Sequence, residues 1–460
     1  MSTAASCDVA VVGAGAAGLR AAAVAARAGA STVLVDAYEH PGGQYYRQPA
    51  STPHPPSPTQ VEGRRLVEEA YAAGMRARTG TSVWDAAAGP GGRVTLWLTT
   101  GDRPSTLECG ALVVATGAHE RVAPFPGWTL PGVYTAGAVQ ALHKGHGVAV
   151  GERVLFAGSG PLPLVAAAGL LGTGARVVEV LEATRLARAG ARHPWATATG
   201  LWRQGDRLRE GLGSALRLRR AGTPMRTGWG IVRALGDDRV EGAVVARLDG
   251  DWRPVAGTER TVSCDAIATH YGLVPATELL RLLGAGIGHR PDLGGWAPAM
   301  GPFMATSVPG VFAAGDCTGI GGAGLSVLEG ELAGLGAVAY ALQRQQRPGR
   351  RRLAALRRER RFQRLYGTIF ALRRGLAELA TAETVVCRCE EVTRASVGAA
   401  IAAGARTASS IKAVTRCGMG PCQGRICLPA ISQLTAAAGP PPEARAPLVP
   451  VPFEAVAPCG

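Results

Sequence analysis

Apolar residues in this chain gather in short unbroken runs, the mark of strands buried on both faces of a sheet. The first run, residues 8–12, is followed by closely spaced glycines and an alanine-rich stretch over 19–28 that predicts a helix. A second run over 31–35 ends at Asp36, and another over 111–115 ends at Thr116 and Gly117. Strand, glycine turn, helix, strand and acid is the order of a βαβ nucleotide-binding unit. The order then restarts with a strand over 154–157, Gly158 and Gly160, an apolar helix, and a strand over 176–181 that ends at Glu182. About 145 residues separate the two copies, which suits two dinucleotide-type domains.

Other segments read differently. Residues 48–59 are rich in proline, serine and threonine and predict a surface loop. From 349 to 374 arginines interleave with Leu353, Leu356, Phe362, Leu365, Ile369 and Leu372, which predicts an amphipathic helix; the plainer alternative is a solvated connector. The last twenty residues are proline-rich, end near Cys459, and predict an extended tail.

Composition narrows the classes. At 460 residues the chain exceeds one compact core and needs two or three domains. With 47% hydrophobic and 18% charged residues it is globular rather than disordered. The net charge of +15 invites nucleic acid, yet lysine occurs only at Lys144 and Lys412 and no nucleic-acid module is recognisable. The arginines fit phosphate-bearing cofactors or an acidic partner better. The N-terminus has no basic residue before Arg20 and its apolar run is broken by Gly13, Gly15 and Gly18, which fits neither a signal peptide nor a membrane span. The expected compartment is a reducing cytoplasm, with any membrane association arising through partners.

The first glycine turn carries Gly13, Gly15, Ala16, Ala17 and Gly18. Gly13 permits the tight turn, Gly15 lets a pyrophosphate approach the backbone, and Gly18 lets helix and strand pack closely. Main-chain N–H groups at the helix start would hold the phosphates, and Asp36 would accept from ribose hydroxyls. Such a turn alone is only suggestive, because packing also needs glycines. Gly43 and Gln44, then Ala115, Thr116 and Gly117, then a run from Gly310 to Gly315 and Asp316 raise its weight. Together they resemble the two-dinucleotide-domain flavoproteins to which glutathione-reductase-like enzymes belong. That resemblance implies FAD, with Asp316 against its ribityl and phosphate region. The redox-active cysteine pair of that family's dithiol members is missing, since Cys7, Cys109, Cys264 and Cys317 stand alone in sequence. Cys317 adjoins Asp316, but a small buried thiol is the commoner explanation.

The second turn is degraded. Gly158 and Gly160, with Glu182 as the acid, follow the same logic, but Pro163 takes the third glycine's place. Pro161 and Pro163 also remove two N–H donors, so the fold survives while the anion site weakens. Three outcomes stay open: NAD(P), a non-redox nucleotide such as ATP, or a purely structural half-domain.

Five of the ten cysteines crowd between Cys387 and Cys427. A binuclear iron–sulfur cluster needs two thiolates on each iron, and two close groups joined by a loop supply them. Gly418, Gly420 and Gly424 would turn N–H groups towards the sulfurs, and Arg388, Arg416 and Arg425 would offset negative charge. Structural zinc accepts the same thiolates and is the rival. Cys417 and Cys427 both lie five positions from Cys422, so spacing cannot choose between them. The segment resembles the ferredoxin-like domain of bacterioferritin-associated ferredoxin. In that pattern the place of Cys417 is not a ligand, which implies Cys387, Cys389, Cys422 and Cys427 as the ligand set.

Three longer segments widen the resemblance: residues 125–133 around Trp128, residues 271–279 starting at Tyr271, and residues 315–323 around Asp316. Over almost its full length the chain resembles the A (alpha) subunits of opine oxidase, hydrogen cyanide synthase and the multi-subunit proline and hydroxyproline dehydrogenases. The implied fold class is α/β: two glutathione-reductase-like Rossmann-type domains plus a small helical 2Fe-2S domain. Its parts would be a discontinuous FAD domain (1–145 and 262–345) and a degenerate second nucleotide domain (146–261). An arginine-rich connector (346–380), the 2Fe-2S domain (381–437) and a tail (438–460) would follow. The resemblance implies an electron-transfer subunit of a hetero-oligomeric amine or amino-acid dehydrogenase acting on CH–NH or CH–NH2 donors. A partner subunit resembling amine oxidases would take the hydride, and a respiratory acceptor would receive the electrons. Some relatives hold an FMN between subunits. No general base is expected here: His119, His143, His146 and His270 are scattered and read as packed or solvated. Two other classes compete, a self-sufficient NAD(P)H-dependent flavin reductase and a non-enzymatic iron-handling module.

Overall fold

The computed structural model describes residues 5–49, 56–434 and 444–456. They form two compact units. One draws on the chain up to His119, on Val274–Gln363 and on the described part of the C-terminal stretch; the other takes Glu120–Leu273 and the chain from Arg364 to 434.

In the first unit, Ala5–Val12 runs parallel to Thr32–Val35 on one side and to Arg103–Val114 on the other. Arg76–Arg78 extends the sheet beyond Thr32–Val35, and Val311–Ala313 joins Arg103–Val114 in parallel. Val94–Thr100 and Thr81–Ala88 add an antiparallel edge, completing seven strands among the described residues. Val9, Ala10 and Val11 are wholly buried, as an unbroken apolar run requires.

The helix Ala16–Arg27 crosses from the first strand to the second and lies against the apolar helix Ala323–Ala341. Small residues set that contact. A β-carbon on Gly334 would come within 2.7 Å of the Ala21 carbonyl oxygen, so only glycine allows this approach.

Two expectations need correcting here. The loop expected over 48–59 holds at the described residues 48, 49, 56 and 57 but ends two residues early, at the helix Pro58–Ala72, because Ser57 and Gln60 form a reciprocal capping box and Pro58 occupies the first turn; residues 50–55 lie outside the described ones. The C-terminal stretch is not simply extended either. Its Leu448 is buried and donates its N–H to the Trp84 carbonyl at 2.7 Å, and Phe453–Val456 forms a helical turn.

The second unit carries a parallel sheet in the order Met225–Thr227, Arg176–Glu182, Arg153–Ser159, Ala266–Tyr271, Val133–Thr135. An antiparallel sheet of Trp229–Leu235, Gly242–Arg247 and Arg260–Ser263 accompanies it. The cysteine-rich segment folds as a hairpin, Val385–Cys387 with Val392–Thr393, followed by the helices Arg394–Ala402, Ala408–Thr415 and Leu428–Leu434. Thr393 and Thr407 cap the first two of these helices, and Val386, Val397, Ile411 and Ile431 supply a core of their own. The arginine-rich stretch is the helix Arg350–Ile369, in which Leu356 and Leu365 are buried. No helix among the described residues is long and apolar enough to cross a membrane.

Candidate cofactor sites

The first glycine turn leaves the strand Ala5–Val12 with Gly13 at φ +105°, a conformation that favours glycine. Added β-carbons at Gly13 and Gly18 would strike the main chain of Ala115 and of Gly13, respectively. At Gly15 a β-carbon would meet nothing within 4 Å. Two of the three glycines are therefore demanded by packing, while the middle one faces open space at a helix N-terminus, where a phosphate fits. Gly43 closes against Gly15 from the following loop, with a β-carbon there reaching 2.9 Å from the Gly15 Cα.

Asp36 lies at the end of Thr32–Val35 and is buried. One carboxylate oxygen accepts from the Ala14 N–H and the other from the Tyr38 N–H at 2.7 Å. The acid expected to meet a ribose thus also locks the glycine turn, and a carboxylate retains acceptor capacity for both tasks. Burial pushes its pKa up, and the two N–H donors pull it back.

Gln44 donates to the Tyr38 hydroxyl at 3.2 Å and accepts from Arg47 at 3.1 Å, and the Arg47 guanidinium covers the Tyr38 ring at 4.8 Å. Thr116 donates to the Ala276 carbonyl at 2.7 Å. Asp316 accepts from the N–H groups of Gly321 and Gly322 at 3.0 and 3.1 Å, at the start of Ala323–Ala341. Below it, the buried Glu329 accepts from the Gly315 N–H and the Thr318 hydroxyl. Ala16, Ala17, Gly18, Ala115 and Gly315 complete the same unit's turn region, with Gly315 directly over the Ala17 methyl. Cys317 is buried and its thiol donates to main-chain carbonyls. Cys7 and Cys109, isolated in sequence, face each other in register on adjacent strands, and burial pushes their thiols up to about 11 and 12.

The second turn has the same frame and a different interior. Glu182 accepts from the Gly160 N–H at 2.9 Å and from the Thr184 N–H at 2.7 Å. Its longer side chain reaches the amide of the middle glycine, which a pyrophosphate would need. Pro161 and Pro163 open the helix Pro161–Leu170 without donors. Gly160 stands at φ +110° where Gly15 stands at −76°, and a β-carbon on Gly160 would lie 3.0 Å from the Tyr366 hydroxyl, so Gly160 lacks the open surroundings of Gly15. Gly158 lies on the main chain of His270. His270 is buried, as expected, and its Nδ1 lies 2.7 Å from a Glu120 carboxylate whose other oxygen accepts from the Gly137 N–H. Nothing in the sequence pairs residues 120 and 270; the fold alone brings them together.

All five clustered cysteines meet at one end of the hairpin. The sulfurs of Cys387, Cys417 and Cys427 lie within 4.8 Å of one another and are buried. Cys389 and Cys422 interact with each other nearer the surface, and Cys422 also faces Cys427. The N–H groups of Gly418 and Glu390 point at the Cys387 sulfur and that of Cys422 at Cys389, so the expectation of main-chain donors aimed at sulfur holds at Gly418. A β-carbon on Gly420 would crowd Cys389. Burial raises the Cys387 and Cys389 thiols, and these donors favour the thiolate. Five thiols with aimed N–H groups fit a thiolate-held iron–sulfur cluster. Arg416 pairs with Glu390 at 2.9 Å, so its charge is already partly spent. The motif around Trp128 anchors this region: its indole N–H donates to the Val385 carbonyl at 2.6 Å.

Comparison with known proteins matches two parts of the chain to known domain families. The family model described as pyridine nucleotide-disulphide oxidoreductase matches residues 7–199, and the BFD-like [2Fe-2S] binding domain matches 385–437. The first implies FAD and the second a 2Fe-2S cluster, which makes the class a flavin-type oxidoreductase. The chain is 35% identical to the HcnB subunit of hydrogen cyanide synthase from Pseudomonas aeruginosa, covering 91% of this chain and 90% of the relative. It is also 35% identical to the opine oxidase A subunit of Rhizobium meliloti, covering 93% and 92%. The chain belongs to the family of these HcnB and opine oxidase A subunits. L-proline dehydrogenase from P. horikoshii shares the fold, with a TM-score of 0.68 at 18% identity over 98% of this chain and 79% of that one. T. acidophilum thioredoxin reductase gives 0.54 at 21% identity, covering 73% of this chain and 99% of that one.

Proposed function

We propose that this chain is the FAD- and 2Fe-2S-bearing electron-transfer subunit of a hetero-oligomeric amine or amino-acid dehydrogenase acting on CH–NH or CH–NH2 donors. A partner flavin subunit of amine-oxidase type takes the hydride, and this chain conveys the electrons towards a respiratory acceptor. The relatives are named as subunits of hydrogen cyanide synthase and opine oxidase, which supports both a partner and a nitrogen-bearing substrate. The observation that carries the reading is one chain holding an open glycine cradle at Gly15 and a cluster of five thiols.

When bound, the two groups supply one-electron and two-electron carrier chemistry. The chain's residues do the rest. Gly13, Gly15 and Gly18 shape the cradle; Asp36 would hold the adenosine ribose, Asp316 would hold the ribityl and phosphate region, and Gly43, Gln44, Ala115, Thr116 and Gly117 would line the approach. Cys387, Cys389, Cys422 and Cys427 are the assigned thiolates. The expected working site is the cytoplasm.

The rival reading, a self-sufficient NAD(P)H-dependent flavin reductase, requires a working second turn. Tyr366 beside Gly160, two prolines, and Glu182 on the Gly160 amide all count against it.

Co-purification with an amine-oxidase-like flavoprotein encoded nearby tests the proposal. Anaerobic addition of proline, hydroxyproline, glycine or opines should bleach the visible spectrum of the complex and leave the isolated chain unchanged. Bleaching of the isolated chain by these substrates, or a complex inert to all amines, would overturn it.

A further inference from the structure

Five thiols compete for four places, and the geometry distinguishes them. Cys389 and Cys422 face each other on the outer side, while Cys387, Cys417 and Cys427 form a buried triad with all sulfurs within 4.8 Å of one another. A binuclear cluster takes two thiolates on each iron. With Cys389 and Cys422 on one iron, the inner iron has three sulfurs to choose from.

Cys417 and Cys427 stand on opposite sides of that choice. Cys417 follows the helix Ala408–Thr415, just after Arg416 in a left-handed conformation at φ +64°. Cys427 immediately precedes the helix Leu428–Leu434. Both helices pack into the same small core through Ile411 and Ile431, so each sulfur is held in place by a separate element. Neither needs the other to reach Cys387.

We infer that Cys417 is a reserve ligand, interchangeable with Cys427 opposite Cys387 on the inner iron. The exchange breaks one iron–sulfur bond and makes another. The entering thiol gives up its proton, the departing thiolate takes one, and no electrons change hands. A cluster held in this way survives loss of either inner thiol. The inference rests on the iron–sulfur reading above.

The test uses the full chain purified without oxygen, as wild type and as Cys417→Ala, Cys427→Ala and the double variant. Iron, acid-labile sulfide and the paramagnetic signal of the reduced cluster are measured, with bound FAD as the check that the chain has folded. Each single variant is expected to keep about two irons per chain, and the double variant to lose iron at least tenfold. Loss of iron in either single variant at normal FAD content, or its retention in the double variant, would overturn the interchange. A wild type without iron would instead remove the cluster reading itself. If an alanine variant fails to fold, Cys417→Val and Cys427→Val, closer in bulk to cysteine, are measured in the same way: about two irons per chain in both supports the exchange, and loss of iron in either at normal FAD content refutes it.

Discussion

The Tyr366 hydroxyl lies 3.0 Å from where a β-carbon on Gly160 would stand, whereas a β-carbon on Gly15 would meet nothing within 4 Å. The two turns share strand, helix and acid but differ in backbone, with the left-handed φ at Gly13 in one and at Gly160 in the other, and in what surrounds the middle glycine. At Gly15 a pyrophosphate has room and a helix N-terminus to meet it; at Gly160 an aromatic side chain, two prolines and an engaged carboxylate stand in the way.

NADH is therefore expected to leave the flavin oxidised. Anaerobic mixing of the isolated chain with NADH, followed by absorbance over minutes, should show no bleaching. Tyr366→Ala alone should not create the activity, because the prolines and Glu182 remain.

The glycines of the first turn divide into two kinds. Gly13→Ala puts a β-carbon into the Ala115 carbonyl at positive φ and should cost roughly 1–3 kcal/mol of stability. Gly15→Ala meets open space at φ −76° and should change stability by no more than about 0.5 kcal/mol. It should nevertheless weaken FAD binding at least tenfold, equivalent to about 1.4 kcal/mol, by occupying the phosphate's approach. Thermal melts of the flavin-free chain and flavin titrations separate the two effects.

Much of this could be read from the chain itself. Both βαβ units, their acids and the cysteine group follow from local spacing, because a glycine turn between strand and helix is a local steric demand. What escaped was long-range. Tyr366 is one aromatic among many arginines, and nothing near it in sequence points to Gly160. Cys417 is plain in the sequence, but its closeness to Cys387 arises only when three helices assemble. The helix at Pro58–Ala72 does announce itself through Ser57 and Gln60, a capping signal hidden by the surrounding prolines.

Glu329 gives the first unit a pH signature. Burial pushes its carboxyl up to about 7, well above the ordinary 4.5, although Arg360 and two hydrogen bonds oppose the rise. The folded chain therefore binds this proton more readily than the unfolded one, and stability falls as pH rises from about 4.5 to 7. The full penalty, roughly a few kcal/mol, applies above pH 7 and disappears at acid pH. Glu329→Gln keeps an oxygen for Gly315 and Thr318 and should flatten that part of the profile in denaturant melts of the flavin-free chain.

Trp128 tests how the cluster domain is anchored. Trp128→Phe keeps most of the apolar bulk and removes the hydrogen bond to the Val385 carbonyl. The second unit should lose about 1–3 kcal/mol, and amides of the 385–393 hairpin should exchange faster by hydrogen–deuterium mass spectrometry.

A reductive titration of the purified chain, carried out anaerobically and followed by absorbance, bears most directly on the central claim. One flavin and one binuclear cluster together accept about three electrons per chain, and that is the count expected. An endpoint at two electrons, with zinc in place of iron, would contradict the account.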